Sequence, residues 1–356
     1  MVSHDETGPA RPGAARTGGA GGWRSWRQAW DDAAYGEDGF WSREQPGAHF
    51  TTGVGVGAHV ARAVAALAPA GVGVVVDVGA GDGRLVTALA PLLPGVGLVG
   101  VDRRARPDGL DPRVGWVVDH WDAGAGRWQQ GGPERWCATG ARPLLVAHEW
   151  LDDLPATVAV RERQDWHEVW HAMAHDGSGR ERQGRVVAAE DAAWLDRWWP
   201  GAEEGSRAEV GSPRDAAWAD LVAAAVARGG RALAVDYGHL ADGRPRTGSL
   251  TAYAAGRQRS PVADGSVNLT AGVAVDALEA AGRRAGGETL LLARQAEVLA
   301  DLAADPQTDA SASGADPLAA LVRRSELASL TAPGRWGPLW WLLQGAAAAP
   351  DAPLLP

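Results

Sequence analysis

The stretch 75–85, VVDVGAGDGRL, constrains this chain most. A β-branched run ends in glycines at 79, 81 and 83, and Leu85, Ala88, Leu89 and Leu92 then recur at helical spacing. The pattern predicts a strand, a tight turn and a helix, with Gly79, Gly81 and Gly83 letting the backbone bend and approach a ligand. Free N–H groups at the start of such a helix favour a carboxylate or phosphate. Loops of this kind hold nucleotide-type cofactors in wound α/β sheets. The plain alternative is a glycine-rich loop that only turns the chain.

The neighbouring acids separate these readings. A nicotinamide or flavin fingerprint needs G-x-G-x-x-G, whereas here the third glycine comes one residue early and Arg84 holds the sixth position. Asp77, two residues before the first glycine, would repel a pyrophosphate and attract an α-amino group. Asp102 follows the apolar run 98–101, where an acid ending the second strand reaches ribose hydroxyls. An acid before the turn, a G-x-G-x-G loop and an acid ending strand two together resemble the S-adenosylmethionine site of class I methyltransferases.

Composition narrows the rest. A net charge of −10 argues against a general nucleic-acid binder, whose affinity rests on basic surface. The single Cys137 excludes an internal disulfide framework and a multi-cysteine metal site. No apolar run is long enough to cross a membrane and the first residues lack a signal-peptide core, so a cytoplasmic enzyme is expected. Residues 1–22 are rich in Gly, Ala, Arg and Pro and read as a disordered tail. A compact region is expected over 23–300, then a linker over 301–317. The remainder, 318–356, reads as a helical and apolar tail whose WGPLWW cluster folds back or meets a partner, another copy included.

Within 23–300, Trp23, Trp26 and Trp30 fit one helix face that docks on the core or forms a lid. The polar stretch around Thr51 and Thr52 offers hydroxyls to a cofactor's methionine end. Helices over 58–68 and 84–93 and strands over 97–102, 114–119 and 143–148 predict a parallel sheet wound on both faces. Asp119 and Asp122 close the third strand, facing an adenine or simply solvated. The stretch 143–155, PLLVAHEWLDDLP, runs a buried strand into His148, Glu149, Asp152 and Asp153. Acids crowded at a cleft mouth bind a cation or move a proton, unless they cap the next helix.

Residues 157–170 read as antiparallel strands, and 185–200 and 212–230 as helices, giving an added lobe over about 156–230 on the substrate side. His167, His171 and His175 would align on a helix, but their neighbours read as strand and no acids match, so no metal site is expected. The run 233–239, LAVDYGH, returns to the sheet and ends in Asp236 and Tyr237.

Taken in order, the GF-then-HFTT segment, GAGDGRL, HEWLDDLP, VDYG, and GSLTAY with NLTA resemble the MidA-type methyltransferases over 33–297. That family includes the mitochondrial complex I assembly arginine methyltransferase. The resemblance implies a class I, Rossmann-like, doubly wound α/β sheet with an added substrate lobe. It implies S-adenosyl-L-methionine held by Asp77, Gly79, Gly81, Asp102 and the Thr51/Thr52 loop. Acceptor handling is implied for Glu149 and Asp152, with Tyr237 nearby. His148 stands where the family has Asn, Asp153 where it has a small residue, and Gly256 and Gly272 where histidines are frequent. These departures bear on the acceptor. Protein arginine methylation, methylation of a small molecule, and a cofactor-binding assembly factor without turnover all remain open on sequence.

Overall fold

In the computed structural model, which describes residues 22–43, 53–304, 317–334 and 336–346, the valine run before the glycines is an inner strand of a seven-stranded sheet. Its strands are β1 (Val74–Val78), β2 (Gly97–Asp102), β3 (Val114–Val118), β4 (Pro143–His148), β5 (Arg231–Asp236), β6 (Glu288–Arg294) and β7 (Trp340–Gly345). They lie in the order β3-β2-β1-β4-β5-β7-β6, and only β7 runs against its neighbours.

Alternation along the strands sends side chains to two cores. Val75, Leu144, Val146, Leu233 and Val235 meet the helices His59–Ala66 and Arg84–Leu89. Val76, Leu145, Ala147, Ala232 and Ala234 meet Trp218, Leu221 and Leu278 from helices Ser212–Val226 and Val275–Arg284. Both faces are therefore covered, which a largely parallel sheet requires. Strand order reverses between β1 and β4, so a cleft opens at their carboxyl ends.

Three expectations are corrected. The helix after the glycines is Arg84–Leu89, shorter than 84–93, because Pro91 and Pro94 interrupt it. There the N–H groups of Leu92 and Leu93 both return to the Leu89 carbonyl. The WGPLWW cluster folds back, as one of its two readings had it, but into a strand of the main sheet and not as a tail: Trp336, Leu339 and Trp341 are buried, and β7 fills the slot between β5 and β6. A strand covered on both faces is apolar on both, so its sequence looks like an unclaimed hydrophobic patch. The helix Ser212–Val226, read with the added lobe, packs on the main sheet instead.

The lobe is a five-stranded antiparallel sheet built from Thr157–Glu162, Asp165–Met173, Gly179–Val186, Arg207–Val210 and the short Arg24–Ser25. Helix Trp26–Tyr35 seats Trp26 and Trp30 against Val158 and Val169 of this sheet, and against Ala252 and Leu269 of a small three-stranded sheet. Trp26 and Trp30 thus dock rather than forming a lid, whereas Trp23 lies before the helix, half-buried against the Arg182 guanidinium. His167 and His171 lie on a strand, and among the described residues no group of metal-ligating side chains forms.

Candidate active site

The carboxyl ends of β1, β2 and β4 open into a cavity of about 880 Å³. Gly79, Gly81 and Gly83 have φ of +73°, +61° and +75°, so the loop is left-handed at every second residue. At Gly79 there is a second reason for glycine: a Cβ would lie 2.4 Å from Cδ1 of Trp150. Trp150 in turn stacks on Trp128 at 5.7 Å, and both rings line the cavity.

Asp77 ends buried in this cavity and accepts no hydrogen bond from the described residues. Burial above all, then Asp102 and Asp82, pushes its carboxyl up to about 8. Such a group lacks a cation. Asp102 accepts the Gly81 N–H at 2.9 Å on one oxygen, and on the other the Arg104 N–H and Nε at 2.9 and 3.0 Å.

Asp119 is placed at the cavity wall but is not a free acceptor. Its oxygens take the N–H groups of His120, Gln130 and Gly132 and the Trp136 indole, at 2.8–3.1 Å. Four donors fill its acceptor positions, so Asp119 staples the 119–136 loop, and the expected contact with an adenine is withdrawn. Thr51 and Thr52 lie outside the described residues; the adjoining Gly53 N–H donates to Glu149 Oε1 at 3.1 Å.

The second half of the cavity is acidic. Glu149 has φ of +49°, a left-handed backbone for a non-glycine residue, anchored by its N–H on the Val235 carbonyl at 2.8 Å. Burial pushes its carboxyl up to about 8, against the Gly53 hydrogen bond. Asp152 accepts the Thr270 hydroxyl, and Asp153 the Asn268 amide at 3.1 Å. Asp236 caps the turn after β4, accepting N–H groups of Trp150, Leu151 and Asp152 at 3.3, 2.8 and 3.3 Å. Burial raises Asp152, Asp153 and Asp236, and repulsion among them raises the last two further. Tyr237 follows Asp236, half-exposed at the cavity wall, and burial followed by Glu149 and Asp152 holds its phenol protonated.

One cation supports this cluster from behind. Arg214 is fully buried on helix Ser212–Val226 and donates to the carbonyls of Asp152, Leu154, Ala271 and Gly272 at 2.9–3.3 Å. Its guanidinium thereby ties the turn after β4 to the 271–272 turn and draws the Asp152 carboxyl down. Sequence reasoning missed it, since beside Asp215 it reads as a helix-surface arginine. Asp236 carried a visible signal, an acid ending an apolar strand just as Asp77 does. Trp128 and Trp150 carried none.

A strand-order reversal, a left-handed glycine loop, an unpaired buried acid before it and an acid at the end of the next strand define a methyltransferase that uses S-adenosyl-L-methionine. Residues 112–293, just over half of the chain, match the family model described as "Putative S-adenosyl-L-methionine-dependent methyltransferase", and the chain belongs to that family. Among solved structures it is similar to a COG1565 superfamily member from Burkholderia thailandensis bound to S-adenosyl-homocysteine. That likeness has a TM-score of 0.73 and 23% identity, and covers 91% of this chain and 88% of the other. A native structure of a COG1565 protein from the same organism gives a TM-score of 0.71 at 23% identity, with the same coverage. At this identity the likeness speaks for the fold. No curated protein matches the chain significantly.

Proposed function

We propose that this methyltransferase, of the MidA type within its family, methylates a nitrogen of a protein arginine. The observation that carries the reading is the acid cluster Glu149, Asp152 and Asp153 lining the cavity beside its cofactor half, with Asp236 buried behind them. A guanidinium is planar, cationic and rich in N–H donors, and paired carboxylates orient it through charge-assisted bonds. Ionised together without a cation, these acids would repel one another, so their raised proton affinities favour a positively charged guest.

S-adenosyl-L-methionine supplies an electrophilic methyl on a sulfonium. Asp77 pairs with its ammonium, Asp102 takes the ribose once Arg104 moves aside, and Trp150 walls the loop. The Thr51/Thr52 loop, continuous with Gly53, would close the methionine end. Glu149 and Asp152 hold the acceptor in line with the methyl, where positioning gives most of the acceleration. Glu149, whose raised carboxyl ionises opposite a cationic guest, then receives the proton that the acceptor loses. We place the protein in the cytoplasm.

A transfer assay with labelled S-adenosyl-L-methionine and arginine-bearing proteins from cell lysate tests the reading. Label recovered as methylarginine supports it; label recovered only in small molecules, or none despite measured cofactor binding, overturns it. The WGPLWW cluster, which as an exposed surface would have favoured an assembly factor, is buried at Trp336, Leu339 and Trp341.

A further inference from the structure

Strand β4 alternates strictly between the two cores: Leu144 and Val146 face one, Leu145 and Ala147 the other. His148 is next in phase with Leu144 and Val146. Its side chain is only 4% exposed and lines the cavity beside Glu149. Its Nε2 is buried with no hydrogen-bond partner. Nδ1 lies 3.6 Å from Glu149 Oε1. Burial lowers the imidazole to about 4, so the ring is neutral, with its hydrogen on Nδ1 and a bare lone pair on Nε2. A buried acceptor without a donor is destabilising, and this one belongs to a residue that lines the cavity.

We propose that His148 Nε2 accepts a hydrogen bond from the attacking atom of the methyl acceptor. The acceptor class is then a nitrogen or hydroxyl nucleophile bearing a hydrogen, and not a thiolate or a carbon nucleophile. This rests on the methyl-transfer reading of the cavity but not on arginine. The hydrogen bond turns the nucleophile's own lone pair toward the methyl carbon. As the new bond to carbon forms, the carbon–sulfur bond breaks and its electron pair stays on sulfur. The hydrogen passes to Nε2 while Nδ1 releases its own toward Glu149 Oε1, which enters the step as the carboxylate, its proton lost on binding the cationic sulfonium nearby, and ends the step protonated. His148 is thereby a catalytic residue that selects the acceptor, while Asp77 and Asp102 serve the cofactor.

The test needs no identified acceptor. Protein carrying isotope-labelled histidine is saturated with S-adenosyl-L-homocysteine, and the His148 ring nitrogens are followed by NMR, assigned by loss of the signal in His148→Gln. In the complex Nε2 should keep the shift of a bare, unprotonated nitrogen. Methylguanidinium, methylammonium or methanol at millimolar concentration should then move it toward the hydrogen-bonded range. Calorimetry should give His148→Gln an affinity for S-adenosyl-L-homocysteine within about threefold of wild type. If S-adenosyl-L-homocysteine alone moves Nε2 and the variant loses about tenfold or more in affinity, the nitrogen serves the cofactor and the proposal is overturned. It is equally overturned if none of the three donors moves the signal in the complex. Failure of wild-type protein to bind S-adenosyl-L-homocysteine would instead remove the methyltransferase reading itself.

Discussion

Replacing Asp77 with Asn removes one charge and almost no volume, and its effect follows from the carboxyl's environment. With a proton affinity near 8, about nine in ten Asp77 side chains are protonated at pH 7 in the free protein. Asn is therefore close to isosteric with the resting state, and the free variant should fold normally. Binding a cationic ammonium requires the carboxylate, and ionising it at pH 7 costs about 1.4 kcal/mol. Truncating a buried ion pair costs about 3–5 kcal/mol. The difference, about 2–4 kcal/mol, predicts S-adenosyl-L-homocysteine binding weakened by about twenty- to several-hundred-fold.

Calorimetry in buffers of different ionisation enthalpy gives a second readout of the same variant. Wild type should release about 0.9 proton at pH 7 on Asp77's account, and Asp77→Asn should lose that share. Between pH 5.5 and 7.5 wild-type affinity should rise by about tenfold per unit, a slope the variant loses. Stability moves the opposite way. A carboxyl whose folded value is raised binds more protons when folded, so the stability it confers is present below about 4 and lost as pH rises toward 8. Asp77→Asn should therefore gain on wild type as pH rises through that window in ligand-free thermal melts. Affinity and proton release both unchanged in the variant would refute the assignment of Asp77 to the cofactor's ammonium.

Gly79→Ala forces a Cβ to 2.4 Å from the Trp150 ring at a φ of +73°. Tryptophan emission should shift, and cofactor affinity should fall by at least about tenfold in fluorescence titration, for about 1–2 kcal/mol of backbone strain before the ring is displaced. Glu149→Gln should keep cofactor binding but lower labelled transfer by about 10²–10⁴, since only the proton acceptor is lost. Arg214→Met leaves four carbonyls without their donor. Its melting temperature should drop by several degrees, for a loss of about 3–5 kcal/mol, and the pH at which transfer reaches half its maximum should rise as Asp152 loses its cation. Arg214→Lys keeps the charge without the planar fork, and should recover the pH shift more fully than the melting temperature.

Strands β1 to β5 of the main sheet were legible because each announces itself locally, whereas β6 was not read as a strand. Val74–Val78, Gly97–Asp102 and Pro143–His148 are short apolar runs bounded by turn residues, and their covered faces leave little ambiguity. β7 was not legible as a strand. Its partners, β5 and β6, are about 105 and 50 residues earlier in the chain, and nothing in WWLLQG names them. Gln344 shows the cost of reading locally: an apparent polar end to an apolar run is fully buried, accepting the Trp218 indole at 2.7 Å.

The same division runs through the site. Asp77, Asp102, Glu149 and Asp152 stood out because an acid at the end of an apolar strand is costly unless something holds it. The rule locates such acids without saying what holds them, and Asp119 shows where it fails. Its position matches that of Asp102, yet its partners are four N–H groups of its own loop, three of them 11–17 residues downstream. Arg214 fails in the other sense, lying about 60 residues from the carbonyls it binds on either side in sequence. The acidic half of the cavity needs a buried cation because Asp152, Asp153 and Asp236 cannot all ionise beside one another. Its source is set by how helix Ser212–Val226 crosses the sheet, a packing that side-chain periodicity along the helix does not encode. Acids that a ligand must neutralise are thus visible in sequence, whereas the groups that neutralise acids internally become visible only once the chain has folded.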